Sequence, residues 1–266
     1  MSLVTIAAPV HTAHIGQLAK SMYLDMVCAQ ESLDTAYRAT IRISGSESDP
    51  TNWAAKQLRE RLARLWRSIS SILLGSRQFG TDAITLSERF RTTHPRELHS
   101  MMKGMLRIGE ELLPKISKSE EDLQALPDEF PYAAVALIRT TGYDEHTPLK
   151  ESIKDLQNAE NDFRESIGAL RSRHEAMRQF WKRQLEFLDY VLNNNDASQL
   201  SQITASALEL ASSWRAYDKA LEVAVLDIQE ISDDITVPKA QPTEAKEEND
   251  SKPLSFAWKV NERLRA

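Results

Sequence analysis

Between Leu200 and Ile235 the residues Leu200, Ile203, Ala207, Leu210, Trp214, Tyr217, Leu221, Ala224, Ile228, Ile231 and Ile235 follow one another at steps of three and four. That alternation averages about 3.5 residues, so all of these side chains fall on one seam of a helix that must lie lengthwise on another helix. A strand cannot use the pattern, because its faces alternate every two residues. Each large seam member contributes about 1.5–3 kcal/mol when buried, as an upper bound.

The preceding stretch carries a second seam. Thr147-Pro148 opens it, and Ile153, Leu156, Phe163, Ile167, Leu170, Met177, Trp181, Leu188 and Val191 keep one heptad frame, with polar Glu160, His174 and Gln184 in the same frame. Polar residues in an apolar seam set register or partner choice at a cost in stability; for His174 an interhelical hydrogen bond is the expectation. A helix over 147–194 is about 70 Å long at 1.5 Å per residue, more than the roughly 45–50 Å diameter of a compact sphere of this chain length. The fold class expected is therefore all-α: an elongated antiparallel helical bundle or coiled coil of about five long helices. The tight turn at Asn193–Asp196 predicts that the two longest helices lie antiparallel and side by side.

Upstream, Ile15, Leu18, Met22, Met26, Ala29, Leu33, Tyr37 and Ile41 predict a first helix over 12–43. Ala55, Leu58, Leu62, Leu65, Ile69 and Ile72 predict a second over 51–76, with Gly75 and Gly80 as a break before a short helix near 82–92. His94-Pro95 with Glu97 marks another helix start. Its inner face is read as Leu98, Met101, Met105, Ile108, Leu112 and Ile116, with a bend at Pro114 and a connection over 122–131. The domain organisation expected is an apolar arm at 1–11, a helical bundle at 12–237, a disordered acidic linker at 238–253 and a short docking segment at 254–266.

Composition narrows the function classes. A net charge of −6 has the wrong sign for a general nucleic-acid binder. The single cysteine, Cys28, excludes an intrachain disulfide and a multi-cysteine zinc site, and its apolar neighbours suggest a buried, inert thiol. No run reaches the ~18–20 apolar residues of a membrane-spanning helix, and the start of the chain shows no secretory leader. Cytoplasmic residence, peripheral to a membrane, is the corresponding expectation.

No motif names a reaction. His11, His14, His94, His99, His146 and His174 form no H-E-x-x-H or E-x-x-H pair, neither glycine-rich phosphate cradle occurs, and the serine-hydrolase elbow is missing. The expectation is a non-enzymatic scaffold with no cofactor and no metal, acting through coiled-coil self-association and binding to anionic membrane surfaces. The candidate membrane residues are Lys56, Arg64 and Arg67, on the second helix, and Arg171, Arg178 and Lys182, beside the long seam; a basic residue near an anionic surface contributes about 1 kcal/mol. The candidate interface residues for a homodimer are Trp181, Leu188, Trp214, Tyr217, Leu221 and Ile228. Two alternatives stand beside this. One is a membrane-inserting, pore-forming protein stored as a soluble bundle, motivated by the apolar arm and the run Tyr132–Ile138; the other is a coiled-coil subunit that binds only protein.

Overall fold

The computed structural model describes residues 10–44, 50–90, 92–130, 147–194 and 197–234. They form five helices: α1 (Val10–Ser44), α2 (Pro50–Arg89), α3 (Pro95–Glu129), α4 (Thr147–Asn194) and α5 (Ala197–Asp234). Among the described residues all regular structure is helical. The 48 residues of α4 span about 72 Å, so the bundle is elongated. The arm at 1–9, the run Tyr132–Ile138 and the segments after Asp234 lie outside the described residues.

The helices pack as a closed ring in the order α1, α5, α2, α3, α4 and back to α1. Cross-helix pairs fix their directions. Asp25 and Asp155 mark α1 and α4 as antiparallel through Arg173 and Arg42. Glu120–Arg178 and Phe130–Phe163 do the same for α3 and α4, Arg61–Glu129 and Ser68–Ser119 for α2 and α3, and Arg77–Asp218 and Arg215–Glu88 for α2 and α5. A ring of five alternating helices must contain one like-directed neighbouring pair, and here it is α1 with α5.

This ring departs from the side-by-side packing expected for α4 and α5. The short turn fixes their opposite directions but not their lateral contact. Instead α5 wedges between α1 and α2, and it meets α4 through aromatic rings: Phe180 lies 6.2 Å from Tyr217 and 6.5 Å from Trp214 between centroids. The α2–α5 register, extended turn by turn, places Arg59 just past the level of Asp234, the end of α5. At that level α1 and α2 meet directly, with Arg59 paired to Asp34 and its guanidinium 4.6 Å from the Tyr37 ring centroid.

Gly75 and Gly80 do not break α2, which runs unbroken to Arg89. Both lie where neighbouring side chains press on the helix backbone. A Cβ at Gly75 would stand 2.7 Å from Leu112, and one at Gly80 would stand 3.1 Å from the ring of Tyr217. These glycines are notches for close packing, and the neighbouring helices stabilise α2 through them despite the poor propensity of glycine. Gly80→Ala is expected to destabilise by about 1–3 kcal/mol, because the buried Tyr217 ring cannot retreat. Gly104→Ala and Gly168→Ala, where a Cβ meets nothing within 4 Å, should stabilise by about 0.5–1 kcal/mol. Thermal melts of the three variants check the opposite signs; a stabilising Gly80→Ala would overturn the notch.

The α3 start is as expected: His94 caps it, its Nδ1 accepting from the Arg96 N–H at 3.2 Å, with proline at the first turn and Glu97 beside it. Residues 122–129 are not a connection: α3 continues through Pro114 and Pro127. Pro114 is exposed, so the carbonyl that loses its partner faces water. The buried face is Leu98, Met102, Met105, Gly109, Leu112, Ile116, Ser119, Leu123 and Leu126. Met101 and Ile108, assigned inward from spacing, are only half-buried, because the small Gly109 lets α4 close in through Leu185.

The core is richest in rings at one level. Phe79, Phe180, Trp181, Trp214 and Tyr217 form a contiguous cluster, with Phe79 edge-on to Trp181 at 4.8 Å and 84°. Edge-to-face pairs contribute about 0.5–1.5 kcal/mol each beyond their buried area.

Candidate anion-binding surface

The apolar seams leave the flanks of each helix for charge, and the arginines divide by position. Those beside a seam are drawn onto carboxylates of the next helix. Arg59 holds Asp34, Arg61 holds Glu129, Arg77 holds Asp218 at 3.0 Å and Glu222 at 3.5 Å, and Arg173 holds Asp25. The hydrogen bond to Asp218 raises the Arg77 pKa above its ordinary value. Partly exposed pairs of this kind contribute about 0–1 kcal/mol each, and their main effect here is to consume the charge.

On the outer face of α2, Lys56, Arg64 and Arg67 are exposed and have no carboxylate partner among the described residues. Lys56 and Arg67 are eleven residues apart, which brings them within about 20° of each other around the helix, with Arg64 about 60° from Arg67. The strip is about 16 Å long. Glu60 is the acid within it. Arg59 and Arg61 lie nearer the seam and are paired across it.

The α4 stripe is reduced. Arg171 and Lys182 are exposed, but Arg178, expected beside them as a free cation, is bound at 3.2 Å to Glu120 of α3 and also to Glu175 one turn before it. The Glu175 hydrogen bond raises the Arg178 pKa, and Glu175 is itself lowered, first by Gln179 and then by Arg178. The reason is tertiary: α3 lies against that flank of α4 and brings Glu120 to it. In the ring α3 separates α2 from α4, so the two basic groups occupy different sides of α3.

Spacing alone did not reveal the cleft between α2 and α3, about 220 Å³, lined by Arg61, Arg64, Leu65, Asp122 and Leu126. Arg61 there is engaged by Glu129, and Asp122 by Lys118 at 3.3 Å. Arg64 is the lining cation with no such partner among the described residues.

The six residues assigned to an interface between copies, Trp181, Leu188, Trp214, Tyr217, Leu221 and Ile228, are all buried inside one chain. They close α4 and α5 against the other helices of the same bundle, and a second copy cannot touch them while the bundle is shut. The seam was legible as a contact surface; which helix would cover it was not.

Scanned against protein-family models and against curated proteins, the chain matches none.

Two further expectations are corrected. Cys28 is exposed, because Met26 and Ala29 turn inward on either side of it. Its pKa is nonetheless raised, first by partial desolvation and then by Glu31, Asp25 and Asp162, so partial burial and acidic neighbours together hold it as a thiol. His174 is fully buried, as its seam position implies, yet neither ring nitrogen has a hydrogen-bond partner among the described residues. Desolvation lowers its pKa to about 4. Among the described residues no three His, Cys, Asp or Glu side chains converge as a metal site, and no helix is long and apolar enough to cross a membrane.

Proposed function

We propose that this chain is a non-enzymatic helical scaffold that docks onto anionic membrane surfaces through the outer face of α2. The observation that supports the reading is the contrast on that helix: Arg59, Arg61 and Arg77 are neutralised inside interhelical seams, whereas Lys56, Arg64 and Arg67 stand together in solvent without a carboxylate partner among the described residues. Cations arranged along one rigid helix face meet a layer of phosphate headgroups without reorganising the bundle, and each contributes about 1 kcal/mol near such a surface. Arg171 and Lys182 form a lesser, second basic site on α4.

Co-sedimentation with phosphatidylserine-rich vesicles tests this. Binding is expected at low ionic strength and should weaken steeply as salt screens the headgroups. Replacing Lys56, Arg64 and Arg67 together by alanine should lower vesicle affinity by about 10²-fold, corresponding to about 3 kcal/mol, while Arg178→Ala should change it little. Vesicles loaded with dye should stay sealed, because a surface scaffold does not perforate them. Protein left in the supernatant at low salt, or an α2 triple variant that binds as well as the parent, would remove the reading.

A further inference from the structure

The outer lip of the α2–α5 seam carries large apolar side chains that the bundle does not cover. Leu226 is 62% exposed and Val223 54%, both on α5, and Leu74 of α2 is 44% exposed. The pairing of Arg77 with Asp218 and Glu222 puts Leu74 level with about residue 222, so the three line one patch. It sits on the most acidic stretch of helix: residues 220–234 contain Asp227, Glu230, Asp233 and Asp234, besides the Glu222 that holds Arg77, and no Lys or Arg.

The same chain supplies the complement. Residues 252–265 hold Lys252, Lys259, Arg263 and Arg265 against the single acid Glu262, with Leu254, Phe256, Trp258 and Val260 among them. They follow directly on α5, the helix that bears the patch, after a connection of residues 235–253. A random coil of nineteen residues has a root-mean-square span of about 22–26 Å, and Leu226 lies about 12 Å back from the end of α5. The segment is therefore presented to the patch at an effective concentration of the order of millimolar.

We infer that residues 254–265 are the intrachain cover of the Leu74–Val223–Leu226 patch, with Phe256 and Trp258 on the leucines and Lys259, Arg263 and Arg265 toward the acids of α5. The patch adjoins the α2 cations, Leu74 lying two turns beyond Arg67 on the same face, but the inference does not rest on the membrane reading. It makes the outer α2–α5 seam a switchable site: an external partner of the same chemistry, basic and aromatic, reaches it only by displacing the chain's own segment.

Disulfide trapping in the full chain tests the inference. In a Cys28→Ser background, Leu226→Cys combined with Trp258→Cys should close within one chain about tenfold faster than Lys115→Cys combined with Trp258→Cys, whose first site is exposed on α3 at about the same level of the bundle. Charge reversal by Lys259→Glu, Arg263→Glu and Arg265→Glu should reduce the fast rate to that of the control. Both engineered positions on the bundle are exposed, so the fold is not at stake. Equal rates for the two pairs would mean that the segment merely wanders on its tether, and would overturn the inference. Crosslinks formed only between chains would overturn it in favour of a second copy on the patch.

Discussion

Trp181→Ala is expected to cost about 3–5 kcal/mol of folding stability, the largest loss from any single truncation considered for this chain. The indole is fully buried at the level where α2, α4 and α5 converge, edge-on to Phe79 at 4.8 Å and beside Phe180 at 5.4 Å. Removing it takes away both a large apolar surface and two ring contacts. The cavity left behind cannot collapse easily, because α2 is already in close contact with Tyr217 at Gly80. Trp181→Phe should cost less than half as much. It keeps a ring against Phe79 and also deletes an indole N–H that has no partner among the described residues. Urea titration gives the test: the alanine variant should show a lower midpoint with an unchanged slope. A shift worth under about 1 kcal/mol would mean that the ring cluster is not the centre of the core.

The second large effect is pH dependence centred on His174. Its imidazole is neutral in the folded chain, with a pKa lowered from the ordinary 6.5 to about 4 by desolvation. In the unfolded chain the ring takes up a proton as pH falls through about 6.5. Between those values the unfolded state binds more protons than the folded one, so stability falls as pH falls. The loss begins near pH 6.5, amounts to about 3.5 kcal/mol at one pKa unit per 1.4 kcal/mol, and levels off below about pH 4, where the folded ring is protonated as well. His174→Leu should abolish this component. It should also raise stability at neutral pH by about 1–2 kcal/mol, since it replaces a buried polar ring lacking hydrogen bonds with an apolar side chain of similar size. Denaturation midpoints of parent and variant at pH 7 and pH 5 separate the effect from the carboxylates, which titrate in both. Parallel pH profiles would refute the assignment.

The departures from expectation share one cause. Spacing along a helix tells which side of it must be covered, and it did so for Trp181, Leu188, Trp214, Tyr217, Leu221 and Ile228, all of which are buried. It does not tell what covers that side. Hence a seam read as suited to a second copy is filled by helices of the same chain. Arg178, read as part of a basic stripe, is captured by Glu120, 58 residues earlier in sequence, as well as by Glu175 on its own helix. Gly75 and Gly80 were read as breaks because glycine disfavours an isolated helix, yet Leu112 and Tyr217, brought by α3 and α5, occupy the space their missing side chains leave.

The sequence by itself determined the secondary structure class, the longest helix to its end residues, the inward stripes apart from Met101 and Ile108, and the basic outer face of α2. All of these follow from local periodicity and chain chemistry within a few turns. Only the tertiary structure decided that α5 lies between α1 and α2, that the aromatic rings of α2, α4 and α5 meet, that His174 has no partner in the core, and which cations remain free. Those outcomes depend on contacts between residues tens to hundreds of positions apart, and a repeat of 3.5 residues carries no information about which distant helix arrives to make them.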